Sequence, residues 1–181
     1  MNKLSVSLLL LIFLAMLLIV NSNMPRSPET QVSSQYRRAE VLFCPEDGCG
    51  ESLISLFDKA NETIDIAVYS FTNPEIADAL VRAKGRGVKV RVILESEQVT
   101  SYSQYGKLKS AGIEVVLDRN EYLMHNKFAI IDGKVVATGS FNYTVAADKR
   151  NDENLVILLD ERVAEEFRAE FEEMWSGIYG R

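Results

Sequence analysis

The sequence contains a single histidine, two cysteines and four prolines in 181 residues. A structural zinc site needs four ligands, and one histidine with two cysteines does not readily supply them. Basic residues are also few, 20 against 26 acids, and the net charge of −6 does not favour duplex binding through overall charge. Seven of the acids lie in residues 160–173, which indicates an acidic solvent-exposed helix and leaves room for a basic patch elsewhere.

The two cysteines, Cys44 and Cys49, flank the tetrapeptide P-E-D-G. In an oxidising compartment they can form a disulfide that closes a small loop. Otherwise they remain two free, buried thiols near the end of a strand. The sequence does not choose between these alternatives, and neither of them decides the function.

The amino-terminal segment is the longest apolar run of the chain. Leu4–Val20 carries no charge, and as a helix it would span roughly 26 Å, just short of a hydrocarbon core of about 30 Å. It is either a membrane anchor or the core of a signal peptide, and the lack of an A-x-A cleavage site favours an uncleaved anchor. We expect the folded domain to be membrane-anchored or secreted and to lie outside the cytoplasm.

The rest of the chain alternates strand and helix patterns. An anchor or signal segment at 1–23 and a linker at 24–38, rich in Ser, Asn, Pro and Thr, precede a folded domain at 39–181. Strands are predicted at 39–43, 63–69, 88–94, 113–117 and 154–159, and helices at 52–60, 74–85, 102–111 and 161–175. This alternation predicts an α/β layered domain with a mixed central sheet flanked by helices, preceded by the hydrophobic helix.

One stretch, MHNKFAIIDGKVVATGSFN, contains the candidate chemistry. His125 and Lys127 are two residues apart, so in a strand both point to one face, about 7 Å apart, where one phosphate could contact both. The Asp-Gly pair at Asp132 is typical of a hairpin turn, and the returning strand brings Ser140 and Asn142 back toward the histidine. Imidazole, ammonium, hydroxyl and carboxamide together predict an anion site that contains a nucleophile.

The spacing H-x-K-x4-D-x6-G-S-x-N resembles the signature of the phospholipase D superfamily, with every fixed position filled. The likeness extends from about Val41 to Trp175 and is greatest to the single-motif branch of Nuc-type endonucleases and mitochondrial cardiolipin hydrolases (Zucchini). It implies a phosphodiesterase that needs no metal or cofactor and acts through a phosphohistidine. We expect an endonuclease that cleaves DNA or RNA; a phospholipase D or cardiolipin hydrolase acting on membrane phospholipids is the alternative.

The resemblance also implies a role for each residue of the motif. His125 is the nucleophile, and Lys127, Ser140 and Asn142 bind the phosphate oxygens. Asp132 is also carried over as a catalytic residue, although its place in an Asp-Gly turn explains it equally well as structural.

A carboxylate downstream of the motif completes the predicted site. Glu153 matches a glutamate that hydrogen-bonds the histidine and orients it in the family, and the neighbouring Asp152 is the competing candidate.

The single histidine constrains the mechanism. A phosphohistidine route needs an acid for the leaving oxygen and then a base for the attacking water. A second imidazole fills that role in the family, and here only another copy of the chain can supply it. We therefore predict a two-fold homodimer in which two motif hairpins share one active site.

Two classes of substrate fit this chemistry. Tyrosines and basic residues expected near the mouth are typical of a single-strand nucleic acid groove: Tyr102, Tyr105, Tyr122, Lys107, Lys109, Arg119, Lys149 and Arg150. The amino-terminal helix would instead hold the site beside a membrane, which suits a phospholipid. Because Ser96–Lys109 is polar and offers no apolar rim for acyl chains, we favour nucleic acid.

Overall fold

A computed structural model describes residues 39–179, and the anchor and linker predicted at 1–38 lie outside these residues. The strands are β1 (Ala39–Cys44), β2 (Thr63–Val68), β3 (Lys89–Leu94), β4 (Glu114–Leu117), β5 (Lys127–Ile131), β6 (Val135–Gly139) and β7 (Glu153–Leu159). The helices are α1 (Cys49–Lys59), α2 (Pro74–Gly85), α3 (Tyr105–Ser110), α4 (Val145–Lys149) and α5 (Glu161–Trp175), with a 3-10 turn at Ser96–Gln98.

The strands form one mixed sheet in the order β1-β7-β6-β5-β2-β3-β4, which confirms the predicted α/β fold. Strands β2, β3 and β4 are parallel, whereas β5, β6, β7 and β1 run antiparallel to their neighbours. This topology brings the carboxyl ends of β2, β3, β4 and β6 to the same edge as the amino ends of β5 and β7. In open α/β sheets, ligands bind beyond the carboxyl ends of the parallel strands.

Helices cover both faces of the sheet. The larger core lies between the sheet and helices α1 to α4, and it includes Leu53, Phe57, Ile66 and Leu80. The smaller core lies under α5. Because both faces are covered, the central strands are apolar almost throughout, as in the sequence TIDIAV of β2. Within residues 39–179, no helix has both the length and the apolar composition needed to cross a membrane.

Arg91 joins α5 to the sheet. Its guanidinium donates to the buried Asp65 and to Glu172 on α5, each at 2.7 Å. It also lies 4.8 Å from the ring centre of Phe171 and 5.3 Å from that of Trp175. Burial opposes the charge, but the hydrogen bonds to the two carboxylates outweigh it and raise the pKa of Arg91 above its ordinary value. The charge, the stacking and the apolar side of α5 together hold this helix in place.

A disulfide links the end of β1 to the start of α1. Cys44 and Cys49 are bonded, which decides between the two alternatives that the sequence left open. Helix α1 begins at Cys49, three residues before the predicted start at 52. The reason is a long-range cap: the buried carboxylate of Asp148 in α4 accepts the Gly50 N–H at 2.9 Å, a contact that local sequence does not reveal.

We expect Gly50→Ala to lower the free energy of unfolding by roughly 1–3 kcal/mol, because the added methyl would overlap the Asp148 carboxylate. Gly106→Ala in α3 is the matched control. No atom of the described residues lies within 4 Å of its added methyl, and alanine favours the helix. In urea unfolding, Gly106→Ala should be at least as stable as the wild type. Equal stabilities for the two variants would contradict the close contact in which Asp148 caps α1 at Gly50.

Candidate active site

Lys127 and His125 are in direct contact at the amino end of β5. Lys127 is the first residue of the strand and is only 8% exposed. Its Nζ donates to the His125 carbonyl oxygen at 2.7 Å and lies 3.1 Å from His125 Nδ1. An ammonium has donors only, so Nδ1 accepts in this contact and the ring proton is assigned to Nε2. The two side chains are therefore on one face, as predicted, but closer together than the 7 Å spacing of an ideal strand.

The charge of Lys127 is held in a partly desolvated position. Burial lowers the pKa of its ammonium, while the negative charge of Glu153 acts in the opposite direction. A cation that is poorly hydrated binds an oxyanion more strongly than one in open water. The His125 ring itself is exposed, so an anion can reach both groups from solvent.

Tyr69 forms a wall of the site that the sequence analysis did not find. Its ring packs on His125 with a centroid distance of 4.5 Å, and Lys127 Nζ lies 5.1 Å from the same ring. The Tyr69 N–H donates to the carbonyl of Asn126, and the Gln98 side chain donates to the Tyr69 hydroxyl at 3.1 Å. The available signal was its position directly after a buried parallel strand, at the edge where ligands bind.

Asn142 presents an amide donor at the same edge. Its Oδ1 accepts the backbone N–H of Ser70 at 3.2 Å, which fixes the orientation of the amide. Ser70 follows Tyr69, so one short segment contacts both the histidine ring and this carboxamide. In residues 39–179 the Asn142 Nδ2 has no protein acceptor, and its N–H groups can donate to a phosphate oxygen.

Ser140 and Glu153 form a hydrogen-bonded pair across β6 and β7. The Ser140 hydroxyl donates to Glu153 Oε2 at 2.5 Å and accepts the Asn154 N–H at 3.1 Å. Gly139, the residue before Ser140, lies so close to the Asn154 carbonyl that an added Cβ would overlap it, and its φ of +151° also favours glycine. Since the hydroxyl proton points to Glu153, Ser140 here orients that carboxylate rather than offering a donor to the pocket.

Glu153 does not meet the histidine of its own chain. Its second oxygen accepts from Asn151 at 3.2 Å, and within the described residues no hydrogen bond joins it to His125. The orienting role that the resemblance assigned to Glu153 is therefore not formed inside one copy of the domain. Asp152, the competing candidate, is exposed.

Asp132 lies apart from these residues. It follows the far end of β5, and a strand of this length separates it from Lys127 by roughly 17 Å. Its carboxylate accepts the backbone N–H groups of Asn61, Glu62 and Thr63 at 2.8–3.0 Å. Strand geometry thus places Asp132 away from His125, Lys127 and Asn142. Its hydrogen bonds to the backbone favour the structural explanation of the Asp-Gly turn.

The family model described as "Cardiolipin synthase, PLD-like domain" matches residues 53–175. The protein belongs to the phospholipase D superfamily. A phospholipase D of Rickettsia typhi is 36% identical over 156 residues, which cover 82% of this chain and 76% of that protein. A mitochondrial cardiolipin hydrolase of Xenopus tropicalis is 39% identical over 153 residues, 82% of this chain and 73% of that one.

The fold is also shared with a solved member of the superfamily. Nuc of Salmonella typhimurium superposes with a TM-score of 0.73 at 34% identity, over 77% of this chain and 94% of Nuc. The resemblance inferred from the motif is confirmed, and the protein is a phospholipase D-like enzyme that hydrolyses phosphodiester bonds.

We expect Asp132→Asn to reduce stability at neutral pH by about 1–3 kcal/mol, since a neutral amide replaces a charged acceptor of three backbone N–H groups. Asparagine tolerates the left-handed backbone at this position (φ 52°), so the turn is kept. Turnover per folded molecule should not change.

The pH dependence shows whether the loss of stability in Asp132→Asn comes from the charge of the carboxylate. Burial opposes the Asp132 charge, but the backbone donors outweigh it and lower the pKa of its carboxyl below the ordinary value. The contribution is thus present above the unfolded pKa of about 3.9 and is lost as pH falls through the folded pKa. Urea unfolding measures the difference in the free energy of unfolding between wild type and variant, and this difference should disappear in acid. A difference that does not change with pH would contradict stabilisation by the ionised Asp132 carboxylate.

Proposed function

We propose that the protein is an endonuclease that cleaves single-stranded nucleic acid through a phosphohistidine formed on His125. The observation that carries the proposal is the exposed imidazole beside the buried Lys127 ammonium and the free Asn142 amide donor. Nε2 would attack phosphorus, so that a P–N bond forms and a P–O bond breaks. Lys127 and Asn142 would stabilise the charge on the phosphoryl oxygens throughout, which is the work that a metal ion does elsewhere.

The two remaining steps need a second imidazole. The leaving oxygen takes a proton from it, and the same ring then removes a proton from water as the water attacks phosphorus and the P–N bond breaks. The chain has one histidine, so we propose a homodimer that shares one active site.

The tautomer of His125 supports the same assembly. For Nε2 to attack, its proton must move to Nδ1, and a carboxylate must accept the Nδ1–H. In one chain Nδ1 faces Lys127, and Glu153 is bonded to Ser140 instead. We propose that dimer formation brings Glu153 of each copy to the histidine of the other.

Two exposed tyrosines support nucleic acid as the substrate. Tyr102 and Tyr122 are 79% and 81% exposed, on the loops that follow β3 and β4. Base stacking on such rings contributes about 1–3 kcal/mol per base. Two of the residues expected in a nucleic acid groove are occupied otherwise. Tyr105 packs against the core, and Lys107 is paired with Asp78 at 2.6 Å.

A phospholipid substrate is the second candidate. It is favoured by Leu123, which is 49% exposed next to Tyr122, since an aromatic and an aliphatic side chain together suit a lipid interface. The relatives named phospholipase D and cardiolipin hydrolase point the same way. On this reading the membrane anchor proposed at 1–23 would hold the site near the bilayer.

We also propose that the domain lies outside the cytoplasm, anchored by the amino-terminal helix or secreted. The disulfide between Cys44 and Cys49 supports this, because such bonds form and persist in oxidising compartments.

A shared site predicts a non-linear response to inactive subunits. His125→Asn should abolish turnover, and mixed with wild type before refolding it should reduce activity as the square of the wild-type fraction, to about a quarter at equal amounts. Glu166→Gln, an exposed change on α5, is the control and should keep wild-type activity in the same mixture. A linear decrease with His125→Asn would refute the shared site, and activity retained by the pure variant would refute the nucleophile.

The substrate is tested by assaying the full chain in detergent, with EDTA present, on single-stranded DNA and RNA and on cardiolipin and phosphatidylcholine micelles. We expect cleavage of nucleic acid that survives the chelator. Tyr122→Ala should raise the KM for the oligonucleotide roughly 5- to 100-fold through lost stacking, whereas Tyr122→Phe should keep it. Turnover of lipid alone would replace the nuclease proposal with the phospholipase one.

A further inference from the structure

Glu95 is a buried carboxylate at the edge of the sheet that holds the site. It follows β3 and is 1% exposed. Within residues 39–179 no lysine or arginine pairs with it. Its Oε2 accepts the Met124 N–H at 2.8 Å, and its Oε1 accepts the Glu97 N–H at 3.1 Å. An unpaired buried charge is costly unless such hydrogen bonds satisfy it, so both oxygens are tied to defined backbone positions.

The first oxygen fixes the backbone of the catalytic histidine. Met124 immediately precedes His125, and it is itself buried. The carbonyl of His125, the following residue, accepts a hydrogen bond from the Lys127 ammonium at 2.7 Å. The Glu95 contact therefore sets the position from which both the imidazole and its neighbouring cation are held.

The second oxygen is connected to the His125 ring through the turn and Tyr69. By accepting the Glu97 N–H it caps the start of the 3-10 turn at Ser96–Gln98. Gln98 on that turn donates to the Tyr69 hydroxyl at 3.1 Å, and the Tyr69 ring packs on His125 at 4.5 Å. One side chain thus reaches the histidine by two routes, through the backbone before it and through the ring packed against it.

We infer that Glu95 is a positioning residue for His125. It does not touch the reacting phosphate; it holds the imidazole in the orientation from which Nε2 can attack. The inference rests on the proposed function for its effect on turnover, but its effect on the ring itself is independent of any substrate. Misplacing a reacting group by about 1 Å can cost on the order of 100-fold in rate, so a loosened histidine lowers kcat.

Asp148 offers a matched control away from this turn. It is 3% exposed and, like Glu95, its carboxylate accepts a buried backbone N–H group, that of Gly50 at 2.9 Å. Within the described residues it has no hydrogen bond to Met124, to the turn at Ser96–Gln98 or to Tyr69. Asp148→Asn therefore weakens a buried carboxylate contact without cutting either route to His125.

The experiment compares Glu95→Gln with Asp148→Asn in the full chain. Glutamine keeps the length of the side chain but replaces one acceptor oxygen with an NH2 group, so either Met124 or Glu97 loses its acceptor. Turnover of bis(4-nitrophenyl) phosphate gives kcat and KM, and urea unfolding gives stability. Because the chain has one histidine, nitrogen and proton NMR signals of the imidazole report His125 alone.

For Glu95→Gln we expect kcat to fall about 10- to 100-fold, with KM within about twofold, and the imidazole signals to show a changed tautomer ratio or broader lines. Asp148→Asn should also lose stability and should keep the wild-type kcat and imidazole signals. Equal losses of kcat in the two variants, or unchanged imidazole signals in folded Glu95→Gln, would overturn the inference.

Gln98→Ala covers the case in which Glu95→Gln does not fold. The side chain is half-buried on the turn, and its removal cuts only the route through Tyr69. It should broaden the imidazole signals and lower kcat severalfold, and a wild-type spectrum and rate would refute that route. Should His125→Asn retain activity, the proposed function fails, while the NMR comparison still decides whether Glu95 holds the ring.

Discussion

The site depends on one buried ammonium. Lys127 has almost no contact with water, and it is stabilised by the carbonyl and the imidazole of a residue two positions earlier. The strand that carries Lys127, β5, is the central strand of the sheet and is hydrogen-bonded to β2 on one side and β6 on the other. In the function that we propose, the cation would receive a phosphate oxygen without first being stripped of solvent. Preorganised charge of this kind is the largest single contribution to catalysis in many enzymes.

The division of labour in the fold follows from the sheet topology. Strand ends carry the groups common to phosphodiester cleavage, the histidine, lysine and asparagine. The loops after β3 and β4 carry the exposed tyrosines and Leu123, which would distinguish one substrate from another. Rigid strands with variable loops allow one reaction to serve different substrates in different proteins, and the motif alone therefore identifies the reaction better than the substrate.

Local patterns in the sequence were sufficient for the sheet and for the contact between His125 and Lys127. The two-residue spacing of His125 and Lys127 and the Asp-Gly turn place the histidine, the lysine and the returning strand correctly, because each depends on strand periodicity and a short turn. Strand length also shows why Asp132 lies away from them. What local patterns could not supply were contacts between distant segments, such as Ser140 with Glu153.

The same limit applies to Tyr69, Glu95 and the start of α1. Tyr69 and Glu95 each directly follow an apolar strand. Nothing nearby in the sequence indicates that Tyr69 packs on His125 or that Glu95 binds the backbone of Met124. The cap on α1 comes from Asp148, 98 residues away from Gly50. Tertiary contacts of this kind override local propensity.

Helix α5 carries a built-in optical reporter. Trp175 is the sole tryptophan of the chain; it stacks on Phe171 at 5.5 Å and lies beside the Arg91 guanidinium. Its emission therefore comes from one known position, where the last helix meets the sheet. Detachment of that helix, whether by heat, denaturant or a distant substitution, would change the fluorescence of the unlabelled protein without any engineered dye.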